Sequence, residues 1–362
     1  MNIGIVGCGN VSDIYFQNCR RFEWLKIVAC ADLDLGRART KAGQYGVPRW
    51  CSTSELLSAP EVEVVLNLTR PATHFEIAMK ALEAGKHIYN EKPLAIMRAD
   101  GQKLLDVARR KTLRIGCAPD TFMGAGLQTS RKLIDAGVIG QPVGAVGVMM
   151  YAGHESWHPD PEFFYQAGGG PLFDMGPYYL TALVSLFGPV RRVTSSAKTT
   201  KTERVVGSGP KQGRRFPVSV PTHVAAVLDF ECGAIATLMM SFDVWYHELP
   251  ILEIYGTEGS MSLPDPNGFG GIVRLRKARA EKWEPVQSVH GYEENSRSLG
   301  LADMALAART GRPHRANGEL AFHILEVMQA LHEASRESCH IDIISRCERP
   351  EPMKECLKFG EV

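Results

Sequence analysis

Asn2-Ile3-Gly4-Ile5-Val6-Gly7-Cys8-Gly9-Asn10-Val11-Ser12 opens the chain, a short apolar run passing straight into G-x-G-x-x-S. The run reads as a buried parallel strand. Gly7 permits a tight turn after it, and Gly9 lets the backbone approach a pyrophosphate with no side chain in the way. Asn10 and Val11 complete the turn. The helix that follows would aim its free N–H groups and positive end at phosphates. Ser12 stands where a third glycine is usual. Such a motif is weak alone, so its surroundings have to decide.

They agree with it. A second apolar strand, Lys26–Ala31, ends at Asp32, which lies 25 residues after Gly7. That is close to the spacing of the carboxylate that binds the adenosine ribose hydroxyls. The competing reading of Asp32 is an N-cap for the helix starting near Leu33. An acid here repels a 2′-phosphate, so NAD is expected over NADP. Arg37 reads as a solvated helix side chain.

At 362 residues the chain suggests two domains. Hydrophobic content of 44% and charged content of 22% fit a globular enzyme. A net charge of +1 with no Lys/Arg block argues against a nucleic-acid partner. No apolar run is long enough to span a membrane. The first strand begins at once, which leaves no room for a signal peptide. Nine scattered cysteines without C-x-x-C spacing point to reduced thiols and a cytoplasmic location.

Strand and helix alternate over residues 1–118, the pattern of a doubly wound parallel sheet in an α/β domain. Expected elements are a strand at Val62–Leu66, a helix at Thr73–Ala84, a strand at His87–Tyr89, a helix at Arg98–Arg110 and a strand at Leu113–Cys117. Residues 119–362 read as an α+β domain with a large, mostly antiparallel sheet. Its expected strands are Gly144–Tyr151, Val190–Ala197, Thr222–Phe230, Ala234–Val244, Leu252–Tyr255 and Gly271–Leu275. Helices are expected at Leu127–Ala136 and Glu319–Glu333, and a mobile loop at Thr199–Phe216, which is rich in Lys, Arg, Gly and Ser.

Glu91-Lys92-Pro93 follows a strand, at the sheet edge where ligands bind in open α/β folds. A lysine there can stabilise oxygen charge that develops during hydride transfer; the plainer reading is a turn residue paired with Glu91. Gly168-Gly169-Gly170-Pro171-Leu172-Phe173-Asp174-Met175-Gly176 is a third motif. Together with Leu252–Gly259 and Gly311–Arg315, these stretches make the chain resemble the Gfo/Idh/MocA oxidoreductases, the relatives of glucose-fructose oxidoreductase and inositol dehydrogenase. The resemblance implies an N-terminal Rossmann domain and a C-terminal open-sheet domain that binds substrate and mediates assembly. It also implies NAD(P)-dependent redox chemistry on a sugar or cyclitol. Lys92 matches the family's catalytic lysine and Asp174 a substrate-binding aspartate. Where many members carry a histidine base four residues on, this chain has Tyr178.

A tyrosine serves in proton transfer when a nearby cation lowers its pKa, and Lys92 is such a cation. The alternative is that Tyr178, at a helix start, packs or hydrogen-bonds the substrate. Lys92 itself, or His154 and His158 in the loop before the glycine motif, are other candidate bases. No metal site is expected from the two histidines. Asn67, Thr69, His74 and Glu91 are expected at the cofactor. Asp120, at the crossover between domains, either faces substrate or caps the next helix. The expected activity is hydride transfer between NAD and a secondary alcohol or ketone carbon. An NAD-retaining glycosidase and a non-catalytic NAD sensor are the alternatives. The open sheet implies a homodimer or homotetramer.

Overall fold

The computed structural model describes residues 1–362. Its first half runs β1 (Asn2–Val6), α1 (Ser12–Cys19), β2 (Lys26–Ala31), α2 (Leu35–Tyr45), β3 (Arg49–Cys51) and α3 (Thr53–Ser58). It continues with β4 (Val64–Asn67), α4 (Pro71–Glu83), β5 (His87–Asn90), α5 (Arg98–Lys111) and β6 (Ile115–Cys117). All pairings are parallel, in the order β3-β2-β1-β4-β5-β6. The strand order reverses between β1 and β4, which opens a crevice at their carboxyl ends. β4 is buried along its whole length, as strands covered on both faces must be. Asp34 caps α2 by accepting the Arg37 N–H at 3.1 Å, and Gly46 ends it in the left-handed region at φ 54°.

The second half contains α6 (Ala125–Asp135), β7 (Pro142–Met150), α7 (Gly170–Phe187), β8 (Val190–Lys198), β9 (Glu203–Val205) and β10 (Arg215–Pro217). It adds β11 (His223–Phe230), β12 (Ile235–Ser241), β13 (Leu252–Gly256), β14 (Gly259–Leu263), β15 (Val273–Lys277) and β16 (Glu284–Val286). The chain closes with α8 (Leu299–Thr310), α9 (Gly318–Glu337) and β17 (Ile341–Asp342). Nine strands form one sheet in the order β16-β15-β14-β13-β7-β12-β11-β8-β17. Only β7 and β12 pair in parallel. Leu228, Leu238 and Ile254 point to the buried face of this sheet, whereas the alternate residues Val227 and Ile235 are exposed.

α9 ties the halves together. A Cβ on Gly101 of α5 would come within 3.0 Å of Leu325 and Phe322, and Gly116 of β6 bridges to Asn317. One hydrophobic cluster of 71 residues therefore runs through both sheets, with a second of 20 on the outer face of the parallel sheet.

Two expectations change. The Thr199–Phe216 stretch is not a loose loop: β9 and β10 form a hairpin, with Arg204 and Phe216 buried. Its polar composition masked the fact that these two side chains face inward. The glycine motif, in turn, leads into one helix, so Tyr178 lies in the third turn of α7 and not at its start.

Candidate active site

The crevice is a cleft of about 1220 Å³, lined by Gly7, Gly9, Asn10, Val11, Asp32 and Thr69 among others. Gly7 has φ 99°, and a Cβ on it would lie 2.7 Å from the Leu68 backbone. Its conformation and its neighbours both demand glycine. A Cβ on Gly9 would meet nothing within 4 Å, so the space above it is left for something else. Ser12 is buried and closes the turn, its hydroxyl donating to the Gly9 carbonyl at 2.6 Å. Asp32 is not the helix cap, because Asp34 is. Its carboxylate accepts the Cys8 N–H at 2.8 Å and the Asp34 N–H at 2.9 Å, and it stands on the cleft wall. Arg37 is close by, 3.8 Å from Asp32. A short glycine turn, a helix start and an acid at the next strand end fit a dinucleotide with free ribose hydroxyls.

Three residues expected at the cofactor lie behind the wall. Asn67 is fully buried, accepts the Thr69 hydroxyl at 2.7 Å and donates to Asn90 at 3.0 Å. His74 is fully buried with its ring nitrogens facing the carbonyls of Pro93 (2.6 Å) and Thr69 (2.9 Å). Glu91 accepts the Tyr15 hydroxyl at 2.7 Å and the Lys92 N–H at 3.0 Å. Their polar atoms are occupied by protein, so they shape the loops that face the cleft.

Just after β5, Lys92 donates from Nζ to Asp174 Oδ1 at 2.8 Å and to the Asp174 carbonyl at 2.5 Å. Burial works against the lysine charge, but Asp174, with Tyr178 and Glu91, outweighs it and raises the ammonium pKa. Lys92 is thus held as a cation and donor, which favours polarising an oxygen over taking up a proton. Asp174 and Tyr178 are four apart on α7 and so share one face. Between them Pro177 has no N–H to give the Phe173 carbonyl, which loosens the helix ladder beside the site.

The other Asp174 oxygen lies 3.4 Å from His154 Nε2. Tyr151 places its hydroxyl 2.9 Å from the same ring, and Phe164 stacks on it with centroids 3.7 Å apart. Burial pushes the His154 pKa down to about 4, so the imidazole is neutral near pH 7 and holds a lone pair. Tyr178 behaves differently from expectation. Its ring lies 5.2 Å from Lys92 Nζ, and Arg297 is 3.4 Å from its hydroxyl, yet burial outweighs both cations and raises its pKa.

Two sequence profiles match the chain: "Oxidoreductase family, NAD-binding Rossmann fold" over residues 1–118, and "GFO/IDH/MocA C-terminal domain" over residues 127–262. The chain belongs to the Gfo/Idh/MocA oxidoreductase family. Levoglucosan dehydrogenase of Pseudarthrobacter phenanthrenivorans is 27% identical over 72% of this chain and 73% of its own length. Myo-inositol 2-dehydrogenase of Thermotoga maritima is 23% identical over 72% of this chain and 74% of its own. Among solved structures, apo levoglucosan dehydrogenase superposes with a TM-score of 0.83, at 21% identity, over 96% of this chain and 99% of that one.

Within this Gfo/Idh/MocA site, Asp120 caps a helix, though not the next one, and keeps its other oxygen, Oδ1, without a partner. It is 1% exposed, and its carboxylate accepts the N–H groups of Ser298 (3.2 Å) and Gly300 (2.9 Å), capping α8 far along the chain. His158 does reach the cleft wall, its Nδ1 accepting the Asp160 N–H at 3.0 Å. Sequence reasoning passed over Arg204, which pairs with Glu155 and Asp243 and so pins the segment bearing His154. It also passed over Arg70, bonded across the cleft to Asp160 at 2.8 Å, and over Arg297. None of these stands in a recognisable motif; only the fold gives them partners.

Proposed function

We propose that this chain is an NAD-dependent dehydrogenase acting on a secondary alcohol or ketone carbon of a sugar, sugar derivative or cyclitol. The observation that carries the reading is the row Lys92–Asp174–His154, at 2.8 Å and 3.4 Å, joined through the Phe164 ring to His158 and Phe163 on the wall of the dinucleotide cleft. The names of the relatives, dehydrogenases and reductases of such compounds, support the substrate class and favour simple hydride transfer over the glycosidase and sensor alternatives. Asp32 supports NAD over NADP.

Gly7, Gly9, Asn10 and Asp32 would hold the cofactor, which when bound accepts or returns the hydride. The Lys92 ammonium donates to the reacting oxygen and stabilises its developing charge. Asp174 orients Lys92 and accepts from a neighbouring hydroxyl. His154, neutral and oriented by Tyr151 and Asp174, takes the hydroxyl proton. Tyr178, protonated at neutral pH, supports Lys92 through its ring face.

The test is NADH absorbance with NAD and a panel of inositols, aldoses and anhydrosugars. One panel member should reduce NAD, with Lys92→Ala slower by roughly 100- to 1,000-fold and His154→Gln by roughly 100-fold or more. In the wild type kcat/KM should fall only as pH drops toward about 4, where His154 gains its proton. Full turnover in Lys92→Ala would sink the proposal.

A further inference from the structure

Beside Tyr178 sits a guanidinium that no acid of the fold touches. Arg297, just before α8, donates to Asn267 Oδ1 at 2.8 Å and Asn295 Oδ1 at 2.9 Å, and lies 3.4 Å from the Tyr178 hydroxyl. All three partners are neutral, and no carboxylate oxygen lies within 4.0 Å. The buried arginines are handled differently. Arg131 meets Asp135 at 2.6 Å, and Arg204 meets both Glu155 and Asp243. Arg297 is half-buried where those two are buried, so water, and no anion of the fold, meets the rest of its charge. Glu91 and Asp120 are acids whose fields reach Arg297 without contact. The Glu91 oxygens are taken by Tyr15 and the Lys92 N–H, and Asp120 accepts from Ser298 and Gly300 through one oxygen, the other having no partner.

Arg297 still has donors to offer. A guanidinium carries five N–H groups, and the three bonds above leave two unclaimed. None of its nitrogens is sealed off from solvent without a partner. Its position is also telling: the ring of Tyr178 lies 5.2 Å from Lys92 Nζ on one side, and its hydroxyl meets Arg297 on the other. The free cation is therefore one tyrosine away from the group that marks the reacting oxygen.

We infer that Arg297 receives a carboxylate of the substrate, so that the preferred substrates are acidic polyols of the uronate or aldonate class. This rests on the reading of Lys92 given under Proposed function. A planar guanidinium matches a carboxylate in both charge and geometry. Asp174 does not cancel the attraction, because its charge is already paired with Lys92.

The experiment sets each aldose beside its uronate and aldonate. It measures kcat/KM with NAD, and also equilibrium binding by calorimetry with NADH present. Wild type should favour the acid by about 10- to 100-fold, the range of a charge-assisted hydrogen bond. Arg297→Gln should collapse that ratio toward one, chiefly through KM, and Arg297→Lys should restore part of it. Tight acid binding that is lost in Arg297→Gln, without turnover of any compound, would support the assignment of Arg297 while sinking the dehydrogenase reading. Oxidation of neutral sugars with no acid preference would leave the dehydrogenase intact and overturn this inference. Equal losses for acid and neutral members in both variants would also overturn it and assign Arg297 to Tyr178 alone.

Discussion

Gly7 and Gly9 sit in one turn but answer to different constraints. At Gly7 the backbone is left-handed and a Cβ would lie 2.7 Å from Leu68, so Gly7→Ala should destabilise the fold by about 1–3 kcal/mol. At Gly9 there is open space and no such backbone demand. Gly9→Ala should leave the unfolding midpoint nearly unchanged while weakening NADH binding tenfold or more, because the new methyl stands where a phosphate must approach. Thermal unfolding and NADH fluorescence titration of both variants check this. A Gly9→Ala protein that binds NADH normally would remove the cleft's assignment. Both glycines were legible in the sequence, since the motif encodes a backbone shape. The choice among the candidate proton acceptors was not. Tyr178 and His154 are 24 residues apart, and their protonation depends on burial, which no local pattern reports.

Among elements, the β9–β10 hairpin matters more than its length suggests. Arg204 from β9 reaches Glu155 and Asp243, and Glu155 also accepts the Tyr165 hydroxyl. Gly207 donates to the Glu155 carbonyl at 2.7 Å. The segment that carries His154 is thereby held between the hairpin and β12. Arg204→Met would leave two carboxylates poorly compensated, and we expect a loss of about 3–5 kcal/mol in urea unfolding. kcat should fall with it, as His154 loses its fixed place on Asp174. Unchanged stability would mean the cluster is solvated and does not pin the loop. The parallel-sheet elements were readable because strand, turn and helix signals are local there. The hairpin was misread because its two inward residues are isolated in a polar stretch.

For the molecule as a whole, buried histidines set an acid limit. Burial pushes His314 and His323 down to about 4, from an unfolded value near 6.5. Below 6.5 the unfolded chain takes up protons that the fold refuses, so stability is full above that pH and declines as pH falls toward about 4. Each contributes on the order of 2–3 kcal/mol to this loss. Asp120 opposes it: burial raises its carboxyl to about 6, so the fold gains from its protonation between about 6 and its unfolded value of 3.8. Two histidines outweigh one acid, and the unfolding temperature should drop between pH 7 and 4.5, less steeply in His323→Gln. A flat profile would show that these rings are hydrated. The exposed Val227 and Ile235 on the open sheet face, 37% and 55% accessible, fit a covered surface in a dimer or tetramer. Light scattering should report such an assembly, and Val227→Lys with Ile235→Lys should dissociate it; a monomeric wild type would refute this.

The sequence by itself determined the parallel sheet and the dinucleotide turn, because each depends on residues adjacent or at fixed spacing along one element; spacing singled out Asp32 as a candidate, and resemblance to the family singled out Lys92 and Asp174. Tertiary structure alone decided which groups meet around Lys92. It brought His154 to Asp174, put Arg297 beside Tyr178, withdrew Asn67, His74 and Asp120 into the interior, and set every shifted pKa. Those outcomes depend on burial and on partners distant in the chain. Asp120 and Gly300, for example, are joined by a 2.9 Å bond across 180 residues.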